Sequence, residues 1–219
     1  MTRHWELEWS PGRIVPLVTD GVGSTAVVLA HGAGAGQAHG FMVGMRQRLS
    51  ADMSVTTFDY PYKAAGRRAP DRMEILLECH RAVAEAVAAE ADRLVLGGKS
   101  MGGRMASHLD GPEAAALFIL GYPLMPIGKT EPRDTSHLDR ITSPMLFVQG
   151  ERDRLGPPAL LAPIVANLET ASMVVIPEAD HSYKVPKTSG ISAEQMLDRV
   201  AEIVVDWLTG ELAHRSGGS

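Results

Sequence analysis

An open, mainly parallel α/β sheet with helices on both faces is the fold class this sequence predicts, and three observations predict it. Continuously apolar runs, TAVVLA at Thr25 to Ala30 and AAALFIL at Ala114 to Leu120, read as strands covered on both faces. Helix-spaced segments alternate with such runs along the chain. The stretch Arg93 to Arg104, RLVLGGKSMGGR, sets a serine between glycines where a strand gives way to a helix. With 219 residues, 45% hydrophobic and 21% charged, the chain reads as one domain, 1–219, able to bury a sizeable core. Residues 213–219 read as a loose tail.

The elements follow in order. Arg13 to Thr19 (RIVPLVT) is apolar with an internal proline, which suits an edge strand. TAVVLA follows and ends in the glycine-rich loop HGAGAG. Gly40 to Ser50 has helical spacing, with Phe41, Met45 and Leu49 on one face. Ser54 to Phe58 is a strand leading into Asp59 to Lys63 and a polar loop carrying Gly66, Arg67 and Arg68. Asp71 to Glu90 is a long alanine-rich helix whose apolar face includes Cys79. Strand Leu94 to Leu96, a helix to about Leu109, and strand AAALFIL come next. Strands Met145 to Val148 and Ser172 to Ile176 flank a helix from Pro157 to Leu168, and a helix from Ala193 to Leu208 closes the chain.

Composition excludes several function classes. A net charge of −5 with no long basic stripe argues against a nucleic-acid surface. Cys79, the single cysteine, excludes an internal disulfide and reads as a core filler. The first ten residues hold charges and tryptophans and no apolar run, so no signal peptide is expected, and no stretch is long enough to span a membrane. The expected location is cytoplasmic, with no membrane or nucleic-acid partner. The oligomeric state is open.

In open α/β sheets the ligand site lies beyond the carboxyl ends of the strands. Those ends carry His31 to Gly36, Asp59 to Lys63, Ser100, Tyr122, Asp153 and His181. Ser100, Asp153 and His181 follow three strands in the chain order Ser, Asp, His. A serine hydroxyl is a poor nucleophile at neutral pH. It needs an imidazole to take its proton and a carboxylate to orient that imidazole. Glu151 comes early after its strand and Asp180 adjoins His181, so Asp153 is the preferred acid. Met101, the residue after the serine, and Ala33, with Gly34 next, are the candidate oxyanion donors.

Two rival motifs fail. Gly98-Lys99-Ser100 ends like a P-loop, but Arg93 stands where its first glycine belongs. HGAGAG lacks the dinucleotide fingerprint, because Gln37 or His39 occupies its last position. No cofactor or metal is expected.

With HGAGAG, FDYPYK, GRRAPD, GGKSMGGR, GERD and DHSYK in place, residues 13 to 209 resemble the α/β-hydrolase superfamily. Within it they resemble a small lidless branch related to dienelactone hydrolases. Eukaryotic relatives of that branch include testis-expressed 30-like proteins and subunit 3 of the non-specific-lethal histone acetyltransferase complex. The chain departs from dienelactone hydrolases in having Ser100 where those look to a cysteine. The resemblance implies an α/β-hydrolase fold with no large cap. It also implies an acyl-enzyme route for small carboxylic esters or thioesters, or alternatively a non-catalytic binding or scaffold module.

The segment Gly121 to Pro144 is too short for a large cap, so an open site for small or exposed substrates is expected. Tyr60, Tyr62, Arg68 and Tyr122 are candidate substrate contacts, with Arg68 as reader of an anionic acid group. Pairing of Arg67, Arg68 and Arg72 with Asp71 and Glu74 is the competing reading. No role can be assigned to Lys99.

Overall fold

The alternating apolar runs fold into one eight-stranded sheet, seen in a computed structural model that describes residues 1–109 and 113–216. In chain order the elements are β1 (Thr2–Ser10), β2 (Arg13–Asp20), β3 (Thr25–Ala30), α1 (Gly40–Leu49), β4 (Ser54–Phe58), α2 (Pro61–Ala64), α3 (Met73–Ala88) and β5 (Arg93–Lys99). Then come α4 (Met101–Ala106), β6 (Ala116–Leu120), β7 (Met145–Gly150), α5 (Pro158–Ala166), β8 (Ala171–Ile176) and α6 (Ala193–Ser216). The strand order is β1-β2-β4-β3-β5-β6-β7-β8. From β4 to β8 all neighbours are parallel, while β1 with β2 and β2 with β4 are antiparallel.

Residues alternate between two apolar layers along each central strand. On β3, Ala26, Val28 and Ala30 face a core that includes Leu76, Cys79, Val83 and Val87 of α3. Val27 and Leu29 face the other core, with Met42, Met45 and Leu49 of α1 and Met196, Val200, Val204 and Leu208 of α6. This double cover leaves the strand ends as the open rim. No large cap closes that rim. Between β6 and β7 the regular structure is one short 3₁₀ turn, Ser136–Arg140.

The structure departs from the sequence reading at the margins. β1 was not expected, yet Trp5, Leu7 and Trp9 alternate with charged residues and turn their apolar side to the sheet. β1 therefore takes the edge, and β2 is internal to it. Pro16 is tolerated because pairing with β4 begins one residue later, at Leu17. Pro61–Ala64 forms a helical turn where a loop was expected, since proline is pre-set for a first helical position. The helix α6 continues to Ser216 rather than loosening at 213, and residues 217–219 lie outside the described ones. No helix among the described residues is long and apolar enough to cross a membrane.

Burial of histidines gives the fold a defined acid sensitivity. His80 is fully buried beside the Tyr60 hydroxyl, at 3.0 Å, and burial pushes its pKa down to about 3. His137 is pushed down to about 4, by burial and then by the charge of Arg104. Both stay neutral in the folded state while unfolded histidines protonate near pH 6.5, so the unfolded chain binds more protons below that pH. Their contribution is present above pH 6.5 and is lost as the pH falls, down to about 4 for His137 and about 3 for His80. Urea unfolding between pH 6 and 5 is expected to lose about 1.2 kcal/mol for each such histidine. A flat profile in that window contradicts the burial of neutral imidazoles.

Candidate active site

The turn from β5 into α4 is built on glycines because the backbone doubles back at contact distance. A Cβ on Gly98 would meet the nitrogen of Gly103 and the carbonyl of Gly102, and one on Gly102 would meet the carbonyls of Ala30 and His31. Ser100 sits between them at φ 51, ψ −115, outside the regions open to most L-residues. This conformation holds its hydroxyl above the sheet.

Ser100 Oγ lies 2.9 Å from His181 Nε2, and His181 Nδ1 lies 2.7 Å from Asp153 Oδ2. Asp153 is almost fully buried, and its carboxylate accepts three further hydrogen bonds. Oδ2 accepts from Gln149 Nε2 at 2.6 Å; Oδ1 accepts from the backbone of Leu155 at 2.7 Å and Gly156 at 3.1 Å. A carboxylate surrounded by donors acts as acceptor, so the proton of the neutral imidazole belongs on Nδ1. Nε2 is thereby free to accept from the serine. The competing acids are engaged elsewhere. Glu151 Oε2 accepts from Glu178 N–H at 2.7 Å, and Asp180 Oδ1 accepts from Ser182 and Lys184 N–H.

Gln149 is a residue the sequence reading passed over. It is fully buried at the end of β7, donates to Asp153 and Gly156, and accepts from Tyr122 N–H at 2.9 Å. The signal available was a polar residue ending an apolar strand, MLFVQ. Lys99 now has a contact too: Nζ donates to the His181 carbonyl at 2.5 Å and lies over the Tyr183 ring. Burial lowers its pKa to about 8.

The loop after β3 is held by side chains beneath it. His31 is fully buried, with Nε2 accepting from Tyr60 N–H at 3.1 Å. Its proton therefore sits on Nδ1, which donates to the Gly32 carbonyl at 2.7 Å. The Tyr62 hydroxyl donates to the Ala33 carbonyl at 2.9 Å. Neither Ala33 nor Met101 donates its N–H to a backbone carbonyl outside regular elements, and Met101 opens a helix, where first N–H groups are unpaired. Ala33, Gly34, Met101, Ser100 and His181 line one cavity of about 530 Å³.

The four candidate substrate contacts are not brought to that cavity. Tyr60, Tyr62 and Tyr122 are fully buried, the first two in support of the loop just described. Arg68 is exposed and is not among the residues lining the cavity, although Pro70 of the same loop is, and Arg67 pairs with Asp71 at 2.7 Å. The arginines lining the cavity are Arg104 and Arg133. Among the described residues no group of three or more His, Cys, Asp or Glu is set to hold a metal ion.

A family profile described as an alpha/beta hydrolase domain matches residues 23–209. The chain belongs to this alpha/beta hydrolase family. No curated protein matches it in sequence. Among solved structures, this hydrolase-family chain is similar to Est1E from Butyrivibrio proteoclasticus, with TM-score 0.73 and 15% identity over 96% of this chain and 99% of that one. XC6422 from Xanthomonas campestris, described as a serine hydrolase without a lid, superposes with TM-score 0.65 and 20% identity over 90% and 94% of the chains. A malate-bound thermophilic esterase from Thermogutta terrifontis gives TM-score 0.71 and 17% identity over 95% and 99%. At these identities the likeness is one of fold.

Proposed function

We propose that this chain is a serine hydrolase of carboxylesterase type, cleaving small carboxylic esters or thioesters through an acyl-enzyme. The observation that carries the reading is the hydrogen-bonded series Ser100 to His181 to Asp153 opening on a cavity of about 530 Å³. As His181 Nε2 takes the Ser100 proton, Oγ attacks the ester carbonyl carbon, and the carbonyl oxygen becomes an oxyanion facing the N–H groups of Met101 and Ala33. Asp153 stabilises the imidazolium. Collapse breaks the bond to the alkoxy or thiolate group, which leaves with the proton from His181. Water then repeats the sequence, giving up its proton to His181 and releasing the acid and Ser100. The esterases among the structural neighbours support the bond class. The short segment between β6 and β7 and the likeness to a serine hydrolase described as lidless support an open site.

The test is labelling with a fluorophosphonate probe, read by intact mass. Wild type is expected to gain one adduct at Ser100, and Ser100→Ala none. Folded wild-type protein that stays unlabelled removes the enzyme reading and leaves a non-catalytic binding module.

A further inference from the structure

The cavity beside Ser100 is walled by two arginines and by no acidic side chain. Arg104 follows Ser100 by one helical turn, its N–H donating to the Ser100 carbonyl at 3.0 Å, so the two side chains are neighbours on one face. Arg133 arrives from the segment between β6 and β7, where its Nε donates to the Pro123 carbonyl at 3.1 Å. Neither guanidinium has a carboxylate partner among the described residues. Nε of Arg104 is buried without a hydrogen-bond partner of good geometry, and the guanidinium lies beside the hydroxyl of the fully buried Tyr122.

Among the described residues the negative charge that comes nearest in the chain is Asp134, whose field reaches Tyr122 and His137 but which pairs with neither guanidinium. Burial, and then the charge of Arg104, push the Arg133 guanidinium below its usual range, the mark of two cations held together in partly dry ground. His108 and His137 stack 3.5 Å apart, and both are pushed down to about 4, by burial first, so they stay neutral. Asp134 spends its two oxygens on Ser136 N–H and Oγ. Lys99, the third cation on the wall, is engaged by the His181 carbonyl.

Resting on the hydrolase reading above, we infer that Arg104 and Arg133 form a carboxylate-recognition end of the cavity, and that the substrate is a small ester carrying a second, ionised acid group. A guanidinium presents paired donors matching a carboxylate, and in a partly dry site such a pair is shorter and stronger than a neutral one. A neutral ester of the same length leaves both guanidiniums without a partner and is disfavoured.

The experiment compares kcat/KM, by pH-stat, for monomethyl glutarate against dimethyl glutarate, with acid on the acyl side. It then compares 3-acetoxypropanoate against propyl acetate, with acid on the alcohol side. Wild type is expected to prefer the anionic member of at least one pair by about 10- to 100-fold, the range for a hydrogen-bonded charge pair. In Arg104→Gln and in Arg133→Gln that ratio should fall toward one. Arg133→Glu should invert it, which a merely misfolded variant cannot do. A wild-type ratio near one in both pairs, or a ratio that survives both substitutions, overturns the inference while leaving the hydrolase reading intact. Calorimetric titration of Ser100→Ala with monomethyl and dimethyl glutarate and with 3-acetoxypropanoate decides the matter without turnover. Binding of neither anion more tightly than of the diester overturns it equally.

Discussion

On the proposed hydrolase reading, His181→Ala is expected to lower kcat for a short carboxylic ester by about 10⁵- to 10⁶-fold, and adding Ser100→Ala to it should lower kcat little further. In the proposed relay serine and imidazole act as one unit: Oγ reaches useful nucleophilicity only while Nε2, 2.9 Å away, takes its proton. Asp153→Asn is expected to cost about 10⁴-fold, because an amide at Oδ2 offers a donor to Nδ1 and turns the wrong ring nitrogen toward Ser100. Glu151→Gln, whose carboxylate faces the Glu178 backbone, is the control and should change kcat by less than about twofold. The measurement is steady-state hydrolysis of 4-nitrophenyl acetate, corrected for background. Multiplicative losses in the double variant, or a His181→Ala enzyme within tenfold of wild type, would sink the proposed relay.

Gly98→Ala and Gly102→Ala are each expected to lower stability by about 3 kcal/mol or more, and to lower activity with it. Overpacking is cheap where a flexible side chain can move aside. Here the added methyl meets backbone on both sides of the turn, the Gly102 carbonyl oxygen at 2.8 Å in one case and the His31 carbonyl at 2.7 Å in the other. Relief requires moving α4 away from β3 and β5, which also moves Ser100. For a chain of this size such a loss lowers Tm by about 6 to 12 °C. Gly210→Ala, in α6 with open space at its Cβ, should instead gain about 0.5–1 kcal/mol from lost unfolded-state freedom. Scanning calorimetry of the three variants checks this, and a Gly98→Ala protein melting with wild type contradicts the close approach.

Much of the fold was legible because parallel strands buried on both faces must be apolar throughout. TAVVLA, ALFIL and MLFV could not be read as exposed, and β3, β6 and β7 fall on them. β1 was missed although Trp5, Leu7 and Trp9 alternate with charged residues, because a one-sided edge strand lacks the continuous apolar run by which the buried strands are read. A loose tail was expected from 213 because residues 213–216, AHRS, carry no apolar stripe, yet the helix α6 runs to Ser216.

By itself the sequence determined the alternation of strands and helices, the glycines of the turn around Ser100, and the order in which serine, acid and histidine appear, since each depends on local sterics or burial. Only the tertiary structure decided which distant polar groups meet. Lys99 reaches the His181 carbonyl, Gln149 accepts from Tyr122 N–H, and Arg104 and Arg133, rather than Arg68, line the cavity. Those meetings follow from the strand order β5-β6-β7-β8, which brings the ends of four strands side by side. No local pattern encodes them, because a side chain's partner across the sheet is set by packing and register rather than by its neighbours along the chain.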